Sequence, residues 1–233
     1  MTLVPPRKAT AVIPTDKRVR PAARTFGAAD LDAMAKRCPE RTLVAGRCLF
    51  RAGTPLDCVY VVRQGLLGQG RRTHGRRVTL LLLHPGDVIG DEAALLGSPA
   101  RFDTFAVTDA TVLVVPAADF IDALDLRSPF RRQWVVGLGE RISALQARLD
   151  DLLGGDLRSR IASLLHHELE ADSRVVRLTQ QTMADLLGVP RTSVTRTLQG
   201  LQRQGIIELG YRYIAVRDYD ALAKAAGGER ASA

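Results

Sequence analysis

The chain has 233 residues, 33 Lys and Arg against 25 Asp and Glu, and a formal net charge of +8. Hydrophobic residues make up 46% and charged residues 25%, ordinary globular usage rather than a disordered composition. No apolar run approaches the ~20 residues of a membrane helix, no signal peptide is expected from residues 1–20, and three cysteines exclude a disulfide framework and suggest a reducing, cytoplasmic setting.

Residues 1–27 read as a basic flexible tail, with prolines and charges but no apolar periodicity. From residue 43 to about 119 the pattern changes to short strands: Arg47-Cys48-Leu49-Phe50, Cys58-Val59-Tyr60-Val61-Val62, Arg77-Val78-Thr79-Leu80-Leu81-Leu82 and Thr111-Val112-Leu113-Val114-Val115. Turn signals separate them, at Gly53, Asp57, Gly65, Gly68, Gly70, Gly75 and Pro85-Gly86-Asp87. Regularly spaced short strands with glycine turns predict a small antiparallel barrel or roll.

Residues 122–153 read as helix. Its apolar positions Val135, Leu138, Ile142, Leu145, Leu149 and Leu152 alternate by three and four residues, a heptad stripe narrow enough for a coiled-coil seam between two copies. The other reading is a helix lying on its own domain. Gly154-Gly155 then weakens the helix, and Asp156 can cap the next one. That helix carries Ile161, Leu164 and Leu165 on its apolar face.

Residues 178–198 carry the strongest signal. Thr179 is a natural N-cap, Met183, Ala184, Leu186 and Leu187 give the first helix an inner face, and Gly188 suits a tight turn. Pro190 starts a second helix, on which Val194, Leu198 and Leu201 share one face while Thr192, Arg196, Gln199 and Arg203 fall opposite. This is a helix-turn-helix with an Arg-bearing outer face, suited to the major groove of DNA. The residues expected to face DNA are Thr179, Gln180, Gln181, Arg191, Thr192, Ser193, Thr195 and Arg196. Two short strands around Gly210-Tyr211-Arg212 add a wing, with Arg212 at its tip either near a phosphate or idle in solvent.

In this order, Gly46-(x)3-Phe50-(x)2-Gly53, Val59-Tyr60-Val61-Val62-(x)2-Gly65, Pro85-Gly86-Asp87-(x)2-Gly90, the heptad helix and the 178–198 segment resemble the Crp/Fnr family of bacterial transcription regulators over residues 40–225. The resemblance implies an α+β fold: a cyclic-nucleotide-binding-type antiparallel β-roll, a long dimerisation helix and a C-terminal winged helix-turn-helix. The implied boundaries are a tail at 1–27, a sensor roll at 28–127, a dimerisation helix and hinge at 128–155, a DNA-binding domain at 156–226 and a C-terminal tail at 227–233. It further implies a homodimer on a two-fold operator, with RNA polymerase as a partner. The family's recognition helix usually begins Ser-Arg-Glu-Thr-Val, and here Pro190-Arg191-Thr192-Ser193-Val194 stands in its place. Arg191 and Arg196 keep the two arginines that read guanines in the family. Thr192 replaces the glutamate that accepts from a cytosine amino group, so a changed half-site is expected.

The same resemblance locates an effector cassette at Gly90, Asp91, Arg101, Phe102, Leu145 and Gln146. Phe102 replaces a hydroxyl that donates a hydrogen bond to the cyclic phosphate, and Leu145 a polar partner for adenine, so cAMP is disfavoured. Another nucleotide such as a cyclic dinucleotide, a different small molecule, or no ligand remain open. Cys38, Cys48 and Cys58 read as buried free thiols, with a redox pair Cys48/Cys58 as the alternative; no metal or haem is expected. The Arg-rich turn around His74 is a hairpin tip that could bind an anion. No phosphate loop, metal cluster or nucleophile elbow suggests an enzyme. A binding module acting on a protein partner, or a regulator that needs no ligand, are the rival readings. Of the +8 surplus, +5 sits in residues 1–27 and only +2 in residues 156–233, so DNA recognition rests on where a few arginines point.

Overall fold

A computed structural model describes residues 25–73, 76–154, 156–169, 174–211 and 213–226. The expectations for the 1–24 and 227–233 tails, His74, Gly75, Gly155 and Arg212 lie outside the described residues, as does the side chain of Leu152.

In chain order the elements are α1 (Ala28–Ala35), β1 (Glu40–Leu43), β2 (Cys48–Phe50), β3 (Cys58–Gln64), β4 (Leu67–Thr73), β5 (Arg76–Leu83), β6 (Val88–Ile89), α2 (Asp91–Leu96), β7 (Asp103–Ala106), β8 (Ala110–Pro116), α3 (Ala117–Leu126) and α4 (Ser128–Gly154). They continue with α5 (Leu157–His167), β9 (Val175–Val176), α6 (Gln180–Leu187), α7 (Arg191–Arg203), β10 (Ile207–Gly210), β11 (Tyr213–Val216) and α8 (Tyr219–Ala225).

The eight N-terminal strands form two antiparallel sheets, β1-β8-β3-β6 and β2-β7-β4-β5. The position of β3 explains why its run from Cys58 to Val62 is unbroken by polar residues. Tyr60 and Val62 point into the core between the sheets, with Leu67, Leu83 and Ile89. Val59 and Val61 point the other way, onto Phe26, Phe120 and Leu124 of the helical layer. A strand alternates its side chains, so burial on both faces demands apolar residues at every position.

Three expectations change here. The tail expected over 1–27 does not extend to its last residues, because Thr25 is 4% and Phe26 1% exposed and Gly27 caps α1. Gly68 and Gly70 lie inside β4 rather than in turns. A Cβ at Gly68 would stand 2.6 Å from the Phe105 ring, and one at Gly70 2.0 Å from the Val78 carbonyl, beside a register shift at Gln69/Gly70. These glycines serve close approach within a sheet. The helix expected over 122–153 is two helices. Arg127 is extended, at φ −119 and ψ 92, and Pro129 opens α4 in its first turn, where a missing N–H costs no helical bond.

α4 crosses the roll and presents the heptad stripe. Val135, Ile142, Leu145 and Leu149 are 45% to 55% exposed in the single chain, and Leu138 is half-buried. The Asp156 carboxylate caps α5 by accepting from the Ser159 N–H at 2.7 Å. The C-terminal unit packs α5, α6, α7 and α8 around Ile161, Leu165, Met183, Leu198 and Leu222. The wing is a three-stranded antiparallel sheet, β10-β11-β9, because Val175-Val176 adds a strand that the sequence reading lacked.

Candidate nucleic-acid interface

The interface is organised by α6 and α7. Thr179 Oγ1 caps α6 by accepting from the Thr182 N–H at 3.0 Å. Met183, Ala184, Leu186 and Leu187 are buried, and Gly188 ends the helix at φ +67, a left-handed conformation that a side chain would strain. Pro190 occupies the N-cap of α7, at φ −60 and ψ 141, so the helix starts one residue later than the sequence suggests. Val194, Leu198 and Leu201 are fully buried. Thr192, Arg196, Gln199 and Arg203 are exposed on the opposite side, as the helical spacing predicts.

Thr179, Gln181, Arg191, Thr192 and Arg196 are exposed, whereas Gln180, Ser193 and Thr195 are half-buried. Thr195 Oγ1 donates to Gln180 Oε1 at 2.6 Å and also lies 3.0 Å from the Arg191 carbonyl. The first contact ties α7 to the start of α6 and uses the acceptor end of the Gln180 amide. Gln181 Nε2 donates to Asp185 Oδ1 at 2.8 Å, which turns its donor end along its own helix. Arg160 Nη2 donates to the Leu187 carbonyl at 2.6 Å, satisfying an orphan acceptor at the end of α6.

The wing contributes residues the sequence reading left aside. Tyr211 is 88% exposed at the turn and Tyr213 is partly exposed. The Tyr213 ring lies over Gly210, where a Cβ would stand 2.1 Å from it. With Thr179, Gln180 and Arg191 these tyrosines line a cleft of about 430 Å³ between the wing and the helix starts. Their signal was the pair of tyrosines flanking Arg212 in the wing turn.

In the roll, Gly90 caps α2 with φ +84, and Asp91 is the first residue of that helix. Asp91 is 2% exposed. Its carboxylate accepts from Arg141 Nη1 at 3.1 Å and Nη2 at 2.5 Å, and from Trp134 Nε1 at 2.8 Å. Arg141 Nη1 also donates to the Val88 carbonyl. Burial alone would lower the Arg141 pKa; the hydrogen bond and charge of Asp91, then Asp87 and Glu92, outweigh it and raise the pKa above its ordinary value. Arg101 Nη1 donates to Glu92 Oε1 at 3.4 Å, and the Phe102 ring lies under the Arg71 guanidinium at 5.4 Å. Leu145 and Gln146 are exposed on α4.

Cys48 is exposed rather than buried, its Sγ donating to the Phe50 carbonyl at 2.9 Å. Cys38 and Cys58 are half-buried. Burial, reinforced by Asp119 and Asp57 respectively, pushes their thiols up and favours the neutral form. Among the described residues, no three His, Cys, Asp or Glu side chains are grouped to hold a metal ion. None of the helices among them is long and apolar enough to cross a membrane.

A β-roll, a long helix and a winged helix-turn-helix together define a DNA-binding transcription regulator with a sensor-type domain. A cyclic nucleotide-binding domain model matches residues 40–126, and a Crp-like helix-turn-helix domain model matches residues 159–225. The HTH-type transcriptional regulator Cmr of Mycobacterium tuberculosis is 33% identical over 193 residues, covering 83% of this chain and 78% of that protein. The cyclic AMP receptor protein of Thermus thermophilus is 28% identical over 187 residues, covering 78% of this chain and 86% of that protein. The crystal structure of a CRP-family transcriptional regulator from Thermus thermophilus superposes with a TM-score of 0.67 at 26% identity, covering 80% of this chain and 96% of that one. The chain belongs to the Crp/Fnr family of transcription regulators.

Proposed function

We propose that the protein is a homodimeric, sequence-specific regulator that reads a two-fold operator through Arg191, Thr192 and Arg196. The observation that carries this is α7 itself: Val194, Leu198 and Leu201 are sealed in the core while Arg191, Thr192 and Arg196 stand in solvent. An Arg fork can donate two parallel hydrogen bonds to guanine O6 and N7. Thr179 and Gln180 at the start of α6, with Ser193 on α7, serve as contacts to the DNA phosphates that set the register, and Thr195, whose hydroxyl donates to Gln180, braces that side chain from α7. The stripe Val135, Ile142, Leu145 and Leu149, exposed and joined by the half-buried Leu138, is the seam for a second copy, which places two recognition helices on successive major grooves ~34 Å apart. Leu152 continues the heptad. RNA polymerase is the partner on which such a dimer acts, in the cytoplasm.

The roll takes an effector at the Gly90, Arg101 and Phe102 cassette, with Leu145 and Gln146 contributed by α4; Asp91, buried against Arg141 and Trp134, supports the cassette from behind rather than touching the ligand. cAMP is disfavoured. Phe102 is an aromatic platform under Arg71 and offers no hydroxyl to a phosphate, and Leu145 offers no partner to an adenine amino group. Losing such a partner costs about 1–3 kcal/mol each. A cyclic dinucleotide, another small molecule or no ligand at all are the alternatives to cAMP. The effector shifts the orientation of the DNA-binding domain about residues 154–156.

Selection of binding sites from random DNA tests the reading. A two-fold site with guanines opposite Arg191 and Arg196, but without the family's usual base pair opposite Thr192, supports it. Recovery of no sequence preference overturns it. Calorimetric titration with cAMP and with cyclic dinucleotides then tests the cassette; micromolar cAMP affinity overturns the effector assignment.

A further inference from the structure

The roll and the DNA-binding unit meet through more than α4. Leu66 and Leu82 of the roll are 9% and 8% exposed and belong to the same hydrophobic cluster as Met183, Leu187 and Leu198, with Val107 at its edge. Helix α6 lies against strand β5. At the rim of this contact His84 Nε2 stands 3.0 Å from Glu168 Oε2. Glu168 is the C-cap residue of α5, and its side chain is only 9% exposed. A carboxylate buried at the negative end of a helix dipole needs a donor facing it, and His84 supplies one from the other domain.

We infer that the seating of α6 on β5, closed by His84 and Glu168, is a docking contact that holds the recognition helix in one orientation on the roll, ready for a two-fold site. The inference rests on the DNA-binding function proposed above. The path is short: β5 touches α6, and Gln180 of α6 is tied to Thr195 of α7. The docked arrangement leaves Thr179, Gln181, Arg191, Thr192 and Arg196 exposed, with Gln180, Ser193 and Thr195 half-buried. The contact is therefore compatible with DNA binding. A domain free to swing must surrender orientational freedom on the operator, and one already seated does not. His84 and Glu168 are positioning residues: they touch no DNA.

The test uses the full chain and the two-fold site that the wild-type protein selects from random DNA. Glu168→Gln, His84→Ala, the double variant and Leu82→Ala are compared by circular dichroism, by limited proteolysis at residues 150–156, and by affinity for the full site and for one isolated half-site. The expected result is native circular dichroism, faster cleavage in the 150–156 segment, and about fivefold weaker binding to the full site with the half-site unchanged. The double variant loses no more than the larger single loss, because the two side chains act through one contact. Unchanged cleavage and full-site affinity, or tighter binding on release, overturn the docking role. Equal weakening on full and half-sites also overturns it, because the loss would then lie in the DNA-binding unit itself. A wild-type protein that selects no DNA instead refutes the functional reading and leaves the proteolysis result to decide the docking.

Discussion

The Trp134 indole N–H donates to the Asp91 carboxylate at 2.8 Å, on the oxygen that also accepts from Arg141 Nη2. Trp134 is the only tryptophan in the chain, so its emission reports on the junction of α2 and α4. Asp91 is buried and Arg141 largely so. Removing one member of a buried ion pair strands the other, which costs about 3–5 kcal/mol. Asp91→Ala should therefore lower the stability of the roll by about 3 kcal/mol and shift Trp134 emission in the native state. Urea unfolding followed by that emission measures both. A variant as stable as the parent would mean that the pair is solvated.

The seam prediction concerns α4. Ile142 and Leu149 are 49% and 55% exposed in one chain, and in a dimer each would insert between side chains of the facing helix. A carboxylate in that position has no partner. Ile142→Asp and Leu149→Asp should shift the protein toward monomer in sedimentation and abolish tight binding to a two-fold site, while Leu126→Asp, exposed at the end of α3, should leave both unchanged. A dimer that survives Ile142→Asp would place the seam elsewhere.

Features that are local in sequence could be read from it. The caps at Thr179 and Asp156, the left-handed turn at Gly188 and the two-sided character of α7 all depend on residues within a turn or two. The strands of the roll were legible because β3 and β8 are buried on both faces and so carry unbroken apolar runs. Gly68 and Gly70 misled for the opposite reason: their role is set by Phe105 and Val78 on neighbouring strands. The Arg141–Asp91 pair joins residues 50 apart and the His84–Glu168 pair residues 84 apart. Nothing in the spacing of a single chain announces such contacts. Asp91 was singled out as a sensor residue, but its bond to Trp134 became visible only once α2 and α4 were brought together.

The alkaline limb of the stability curve should carry a signature of the half-buried thiols. Burial raises the Cys38 and Cys58 pKa values above the ordinary 9.0, and burial likewise raises Tyr60 above 10.0. The folded state thus holds these protons more tightly than the unfolded chain. Their stabilising contribution is fully present below pH 9 and is lost as pH rises through the raised folded values. Unfolding midpoints measured from pH 7 to 11 should be flat in these groups at first and then fall. The double variant Cys38→Ala, Cys58→Ala should fall less steeply above pH 9. An identical slope in the variant would show that the thiols titrate alike in both states.

Thr192 offers the sharpest test of DNA reading. It stands exposed in the first turn of α7, between Arg191 and a buried Val194. Side chains at this end of a recognition helix reach base edges. A threonine hydroxyl contacts several bases with little preference, whereas a glutamate accepts from the cytosine N4 amino group and discriminates more strongly. Thr192→Glu should therefore change one base pair in each half of the selected site to one presenting that cytosine and leave the guanines opposite Arg191 and Arg196 in place. Arg196→Ala should instead weaken the specific site by ~1–3 kcal/mol and relax preference at its own guanine. Binding-site selection with both variants distinguishes these outcomes. Uniform weakening on specific and random DNA for Arg196→Ala would make that arginine a phosphate contact. An unchanged site for Thr192→Glu would mean that this position does not reach a base.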